Sequence, residues 1–127
     1  MTPVNHSDIQ QFICDGYLKV ANAFPRDVAD RARAILWRDT GRDPDEPLTW
    51  TRPVIRLGDY RDAPFIESAN TPRLKGAFDL LVGPGRWLPR GSLGTFPVRF
   101  PSGESPQDVG WQVDASFDYE HGDFMKG

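Results

Sequence analysis

Cysteine is almost missing from this chain. Cys14 stands alone in 127 residues, so no disulfide closes within it. A single thiol fits a reducing cytoplasm. Histidine is nearly as scarce: His6 lies in the polar leader and His121 in the tail. No apolar run approaches membrane-spanning length, and Met1 to Asp8 is polar. Excess charge of one sign is missing too. The net charge is −3, which makes no electrostatic case for nucleic acid or an anionic membrane as partner. There is no repeat, no low-complexity tract, no nucleophile triad and no phosphate-binding glycine loop. Gly83-Pro84-Gly85 reads only as a helix stop.

What is present suits a single domain. Apolar residues make up 39%, with Trp 4 and Phe 8, enough for a modest core. Gly 12 and Pro 12 imply many turns. Residues 1–83 read as mainly helical and 84–127 as strand-rich. Ser7 with Gln10 fits a capping box, and Ile9, Phe12 and Ile13 then form one helical face, stopped at Gly16. Cys14 reads as an ordinary buried or half-buried thiol, because its local partner is Asp15 rather than a cation. Tyr17-Leu18-Lys19-Val20 alternates as a first strand would. Pro25 opens a second helix with Val28, Ala32, Ile35 and Leu36 as its apolar stripe, and Gly41 lies past its end. Arg26, Arg31, Arg33 and Arg38 alternate there with Asp27, Asp30 and Asp39. Mixed signs of this kind predict a solvated face rather than an anion site.

Gly41 to Pro53 is a proline-punctuated loop, and Val54-Ile55-Arg56-Leu57 a strand. Arg56 reads either as facing a substrate or as a salt-bridged edge residue, the second being the commoner role. Thr71-Pro72 starts a further helix, with Leu74, Ala77, Phe78 and Leu81 as its stripe and Gly83-Pro84 as its end. Phe96, Val98 and Phe100 alternate with Pro97 and Arg99. Pro97 cannot donate to a ladder, which predicts an edge or bulged strand. A polar loop, Pro101 to Val109, then leads into Gly110-Trp111-Gln112-Val113-Asp114-Ala115-Ser116.

That last stretch carries the chemistry. It reads as a short strand running into a turn, with Gln112 and Asp114 on one face and Trp111 and Val113 on the other. A His-x-Asp pair in this arrangement supplies two members of a facial triad for Fe(II). Here glutamine takes the first position, and a neutral amide oxygen is a poor ligand for Fe(II). Asp114 with His121 returning from a loop forms at most a weak two-ligand site. The structural alternative is that Asp114 caps the turn through Ser116. Asp118, Glu120 and Asp123 lack the spacing of a calcium loop and read as a solvated loop.

Three pieces in this order resemble the phytanoyl-CoA dioxygenase-like family of Fe(II)- and 2-oxoglutarate-dependent oxygenases. They are Phe12-Ile13-Cys14-Asp15-Gly16-Tyr17-Leu18-Lys19-Val20, the helix opened by Phe24-Pro25, and Gly110 to Ser116. The resemblance spans nearly all of the chain but only the first half of a family member. It implies an α+β fold in which helices pack on part of a double-stranded β-helix, a jelly-roll barrel. It also implies Fe(II) and 2-oxoglutarate as cofactors and hydroxylation of a small organic substrate. Asp114 matches the carboxylate ligand, and Gln112 stands at the usual histidine. The second histidine and the basic residue for 2-oxoglutarate come later in the family. The expectation is therefore an oxygenase impaired at Gln112, or a degenerate or truncated module that binds small molecules or partners without chemistry. A half barrel also exposes strand edges that invite self-association.

Overall fold

The computed structural model describes residues 3–111. In order these form α1 (His6–Asp15), α2 (Arg26–Thr40), a 3-10 turn (Pro47–Thr49), β1 (Val54–Leu57), α3 (Ala63–Ala69), α4 (Pro72–Val82) and β2 (Phe96–Arg99). The fold is α+β. Among the described residues its sheet is a two-stranded antiparallel ribbon, β1 against β2. An isolated bridge between Tyr60 and Leu93 continues the pairing beyond β1. Among the described residues no helix is long and apolar enough to cross a membrane.

Local chemistry accounts for most boundaries, with three corrections. The cap of α1 is Asn5, not Ser7. Its side chain accepts from Ser7 N and Asp8 N, and the Asp8 carboxylate accepts from Asn5 N at 2.9 Å. The capping box is thus closed by Asn and Asp, two residues upstream of the serine. Tyr17 to Val20 is not a strand; no partner edge pairs with it, and alternation without a partner does not make a ladder. Pro25 is the residue before α2 rather than its first turn. Other boundaries follow the sequence. Gly16 ends α1 in the left-handed region at φ 80, where its N–H reaches Phe12 O at 2.8 Å. Thr71 caps α4 through Leu74 N. α3, which the sequence reading left out, follows Asp62 and has Pro64 within its first turn.

Burial is concentrated where α2 meets α3 and β1. Val28, Val54, Leu57, Phe65, Ala77 and Phe100 are the buried apolar residues. Phe65 is the deepest, at 1% exposure. It stacks on Tyr60 with ring centres 4.7 Å apart and meets Phe96 at 5.5 Å. A second cluster joins Trp37, Trp50 and Phe100, with centres 5.8 to 6.0 Å apart. By contrast α1 buries no residue, and Cys14 is exposed rather than buried or half-buried. The apolar face of Ile9, Phe12 and Ile13 is present in α1, but Phe12 and Ile13 remain exposed. Likewise only Ala77 of the α4 stripe is buried.

The mixed-charge face of α2 is a set of local pairs, as its pattern predicts. Arg26 and Arg33 meet Asp30, Arg31 meets Asp27, and Arg38 meets Asp39. Arg31 also reaches Glu67 of α3 at 2.6 Å. Such exposed pairs each contribute little, about 0–1 kcal/mol. Asp39 differs in also accepting the Tyr60 hydroxyl at 2.8 Å. The Arg38 and Tyr60 hydrogen bonds hold the Asp39 carboxyl below its ordinary range. Burial, then the bond to Asp39, pushes the Tyr60 phenol up to about 12.

Two outcomes are expected. Phe65→Ala should cost about 3–5 kcal/mol, read as a lowered urea midpoint at unchanged slope. The Tyr60 shift favours the neutral phenol in the folded state. Its stabilisation is therefore complete below the ordinary phenol value of 10.0 and is lost as pH rises towards about 12. Urea titrations should show native stability falling through that window more steeply than that of Tyr60→Phe.

Candidate functional site

The register of the ribbon decides which side chains meet. Val54 pairs with Arg99, Ile55 with Val98, Arg56 with Pro97 and Leu57 with Phe96. Residues facing across a ladder share a side of the sheet, as do residues two apart in a strand. Ile55, Leu57, Phe96 and Val98 thus share one side, from which Phe96 reaches the Phe65 and Tyr60 rings. Val54, Arg56, Pro97 and Arg99 stand on the other, Val54 buried and the remaining three exposed. The position of Pro97 agrees with its missing N–H, because each strand of a two-stranded ribbon has an outer edge.

Over the Arg56 side lies a cleft of about 690 Å³. The ribbon contributes Arg56, Pro97 and Arg99; the chain entering β2 adds Gly94 and Thr95; the loop after β2 adds Asp108, Gly110 and Trp111. Asp108 is hydrogen-bonded and ion-paired to Arg99. The hydrogen bond from Arg99, followed by the charges of Arg99 and Arg56, holds the Asp108 carboxyl below its ordinary range despite partial desolvation. Arg99 is raised in turn by the bond to Asp108. Arg56 donates to Pro106 O at 3.5 Å, a long contact that draws the polar loop back over the ribbon. Arg56 is thus an exposed edge arginine in this cleft, with a backbone carbonyl as its named partner. Ser102 and Ser105 fold the loop by accepting from Glu104 N and Gln107 N.

Gly94 fixes the floor. A Cβ there would lie 2.7 Å from Gly58 O and 2.8 Å from Asp59 Cα, both backbone atoms. The close approach sets the chain entering β2 against the chain leaving β1, beside the Tyr60–Leu93 bridge.

A larger apolar groove of about 930 Å³ runs along the starts of α2 and α4. Phe24, Pro25, Val28 and Pro72 line it, and the Thr71 hydroxyl donates to Ala23 O at 2.5 Å across its base. Among the described residues it shares no lining residue with the first cleft, and it includes Phe24 and Pro25 but neither Gly110 nor Trp111.

Of the residues singled out from sequence, Gly110 and Trp111 line the cleft. Gln112 and Asp114, with Ser116, His121 and the acidic residues Asp118, Glu120 and Asp123, lie outside the described residues. Among the described residues no group of three or more His, Cys, Asp or Glu stands close enough to hold a metal. Sequence reading passed over Arg99 and Asp108. The alternation of Pro97 and Arg99 was visible, but the partner strand that sets Arg56 beside them is separated by α3 and α4. No protein-family model matches the chain, and no curated protein or solved structure matches it either.

Gly94→Ala should lower stability by about 1–3 kcal/mol, because backbone atoms cannot retreat as a side chain can. Urea unfolding checks this; a variant as stable as the native chain would show that the two segments are not held so closely.

Proposed function

We propose that the chain is an oxygenase-like domain of the phytanoyl-CoA dioxygenase-like kind whose iron chemistry is impaired at Gln112. One observation carries this reading. Gly110 and Trp111, which open the Gln112-Val113-Asp114 stretch, line the cleft over the Arg56 side of the ribbon. An oxygenase needs its ligand-bearing strand end to open onto a substrate pocket, and here the motif issues from the lip of one. On this reading the ribbon is part of a jelly-roll barrel in a cytoplasmic protein, and the substrate is a small organic molecule. The outer strand edges, with exposed Phe78, Leu80 and Val82, support self-association.

The cofactors of the reading are Fe(II) and 2-oxoglutarate. The donors this chain brings from the motif are a carboxylate, Asp114, and a neutral amide, Gln112. That set does not fit Fe(II): the amide is a weak ligand where imidazole is needed, and a facial triad requires a third ligand. The same mismatch favours a second reading, a module that keeps the pocket wall and binds a small molecule without oxidising it.

Restoring the ligand separates the two. Gln112→His in the chain fused to a family-like second half, which supplies a later histidine and basic residue, should raise Fe(II) affinity at least about 10-fold. It should also produce succinate from 2-oxoglutarate under O2, in a chelator-sensitive manner. The fused Gln112 form should do neither. Equal succinate formation by both forms would show that position 112 is not the lost iron ligand.

A further inference from the structure

Two arginines line the cleft, and one of them, Arg99, holds a carboxylate that belongs to the chain itself. Arg99 stands two residues beyond Pro97, which faces Arg56 across the ladder. Residues in this diagonal relation are separated by about 7–8 Å at the backbone, so two long arginine side chains reach a common ligand. Asp108 lies with them in the lining of the cleft. It is hydrogen-bonded to Arg99 and feels the charge of Arg56. Both partners remain open to solvent, with the Arg99 side chain 53% and the Asp108 side chain 27% exposed. The contact is a surface pair that a competing anion can enter, not a sealed structural bridge.

The cleft is also much larger than the one carboxylate it holds. Its volume is about 690 Å³, and its other walls include the Pro97 ring and the indole of Trp111. Trp111 is fully exposed, so its indole presents an apolar face with a polar N–H at the rim. Cations at one end and a ring at the rim suit a ligand with an anionic head and a short apolar body.

We propose that this cleft binds a small organic acid through its carboxylate, between Arg56 and Arg99, and that Asp108 is the built-in occupant it displaces. A carboxylate is favoured over other anions because Arg99 already holds one through Nη2, and a guanidinium can match a carboxylate in a two-point geometry. Displacement has a consequence beyond occupancy. Asp108 ties the loop after β2 to the ribbon, and Trp111 lies three residues further on. Ligand binding therefore frees the loop and changes the surroundings of Trp111. The site needs no metal and does not rest on the oxygenase reading.

The test uses the 127-residue chain with chelator present and butanoate as probe, followed by tryptophan and arginine side-chain N–H signals in NMR. Butanoate should shift these signals saturably, and acetate, lacking the apolar body, more weakly. Asp108→Asn should tighten butanoate binding about two- to fivefold, the scale of one exposed ion pair removed as competitor. Arg56→Gln should weaken it about tenfold or more. Arg56→Lys keeps the charge but loses the fork, so it should also weaken binding and serves if the glutamine variant does not fold. The proposal is overturned if Asp108→Asn binds no tighter than the native chain, if Arg56→Gln and Arg56→Lys bind as well as it, if acetate equals butanoate, or if inorganic phosphate binds more tightly than butanoate. Because the measurement excludes metal, its failure leaves the succinate assay of the iron reading untouched.

Discussion

The position of Phe65 governs this structure. Its ring is almost wholly buried between Tyr60 and Phe96, which come from the bridge beyond β1 and from β2. Tyr60 then carries the contact on to α2 through its hydroxyl on Asp39. One short helix, one ribbon and one long helix are thereby joined at a single point. The helix bearing Phe65 is only seven residues long, too short to be stable alone in water. It persists because burying that ring is worth about 1.5–3 kcal/mol before any cavity term is counted. Ser68, also buried, satisfies its hydroxyl on Phe65 O and leaves no orphan beside the ring.

Anchoring one side of the ribbon determines what the other side can be. A ribbon of two four-residue strands is marginal unless one face is covered. Phe65 and Tyr60 cover Phe96, and Arg56, Pro97 and Arg99 stand exposed on the opposite side, where Val54 is buried. Had the register slipped by one residue, the arginines would face the rings and the phenylalanine would face water. The close approach of Gly94 to Gly58 and Asp59 resists such a slip. The cleft is therefore a by-product of the packing that makes the core, and its charge follows from the register.

Sequence reading recovered what local chemistry decides. The bounds of β1, the cap of α4 at Thr71, the stops at Gly16 and Gly83 and the mixed face of α2 each depend on a few neighbouring residues. It misplaced the α1 cap because Asn5 and Asp8 perform the task usually assigned to Ser and Gln. It missed α3 because a seven-residue helix with a proline in its first turn has too short a period to read, and Phe65 is understood only once its partners are known. It took Tyr17 to Val20 for a strand because alternation is necessary for a half-buried strand but not sufficient. The α+β class was legible from helical stripes beside the strands expected at Val54 to Leu57 and around Phe96 to Phe100, although β1 lies within the half read as mainly helical. The cleft was not, because it depends on pairing Arg56 with Pro97 across the intervening α3 and α4.

The arginines of this chain illustrate how context separates structural charge from chemical charge. On α2, Arg26, Arg31 and Arg33 meet aspartates three or four residues away. Helical spacing alone supplies those partners, and the resulting face needs no ligand. Arg56 and Arg99 lie on strands, where spacing along the chain brings no acid alongside. Their partners come from a loop that crosses back over the ribbon: a backbone carbonyl at 3.5 Å for Arg56 and Asp108 for Arg99. A loop carboxylate of this kind can leave at the cost of one surface ion pair, whereas a helical partner is fixed by the turn that carries it. The same loop leads directly to Trp111 and then to Gln112 and Asp114. The Arg99 contact and the Trp111 indole at the rim of the cleft are thus linked through one short loop segment.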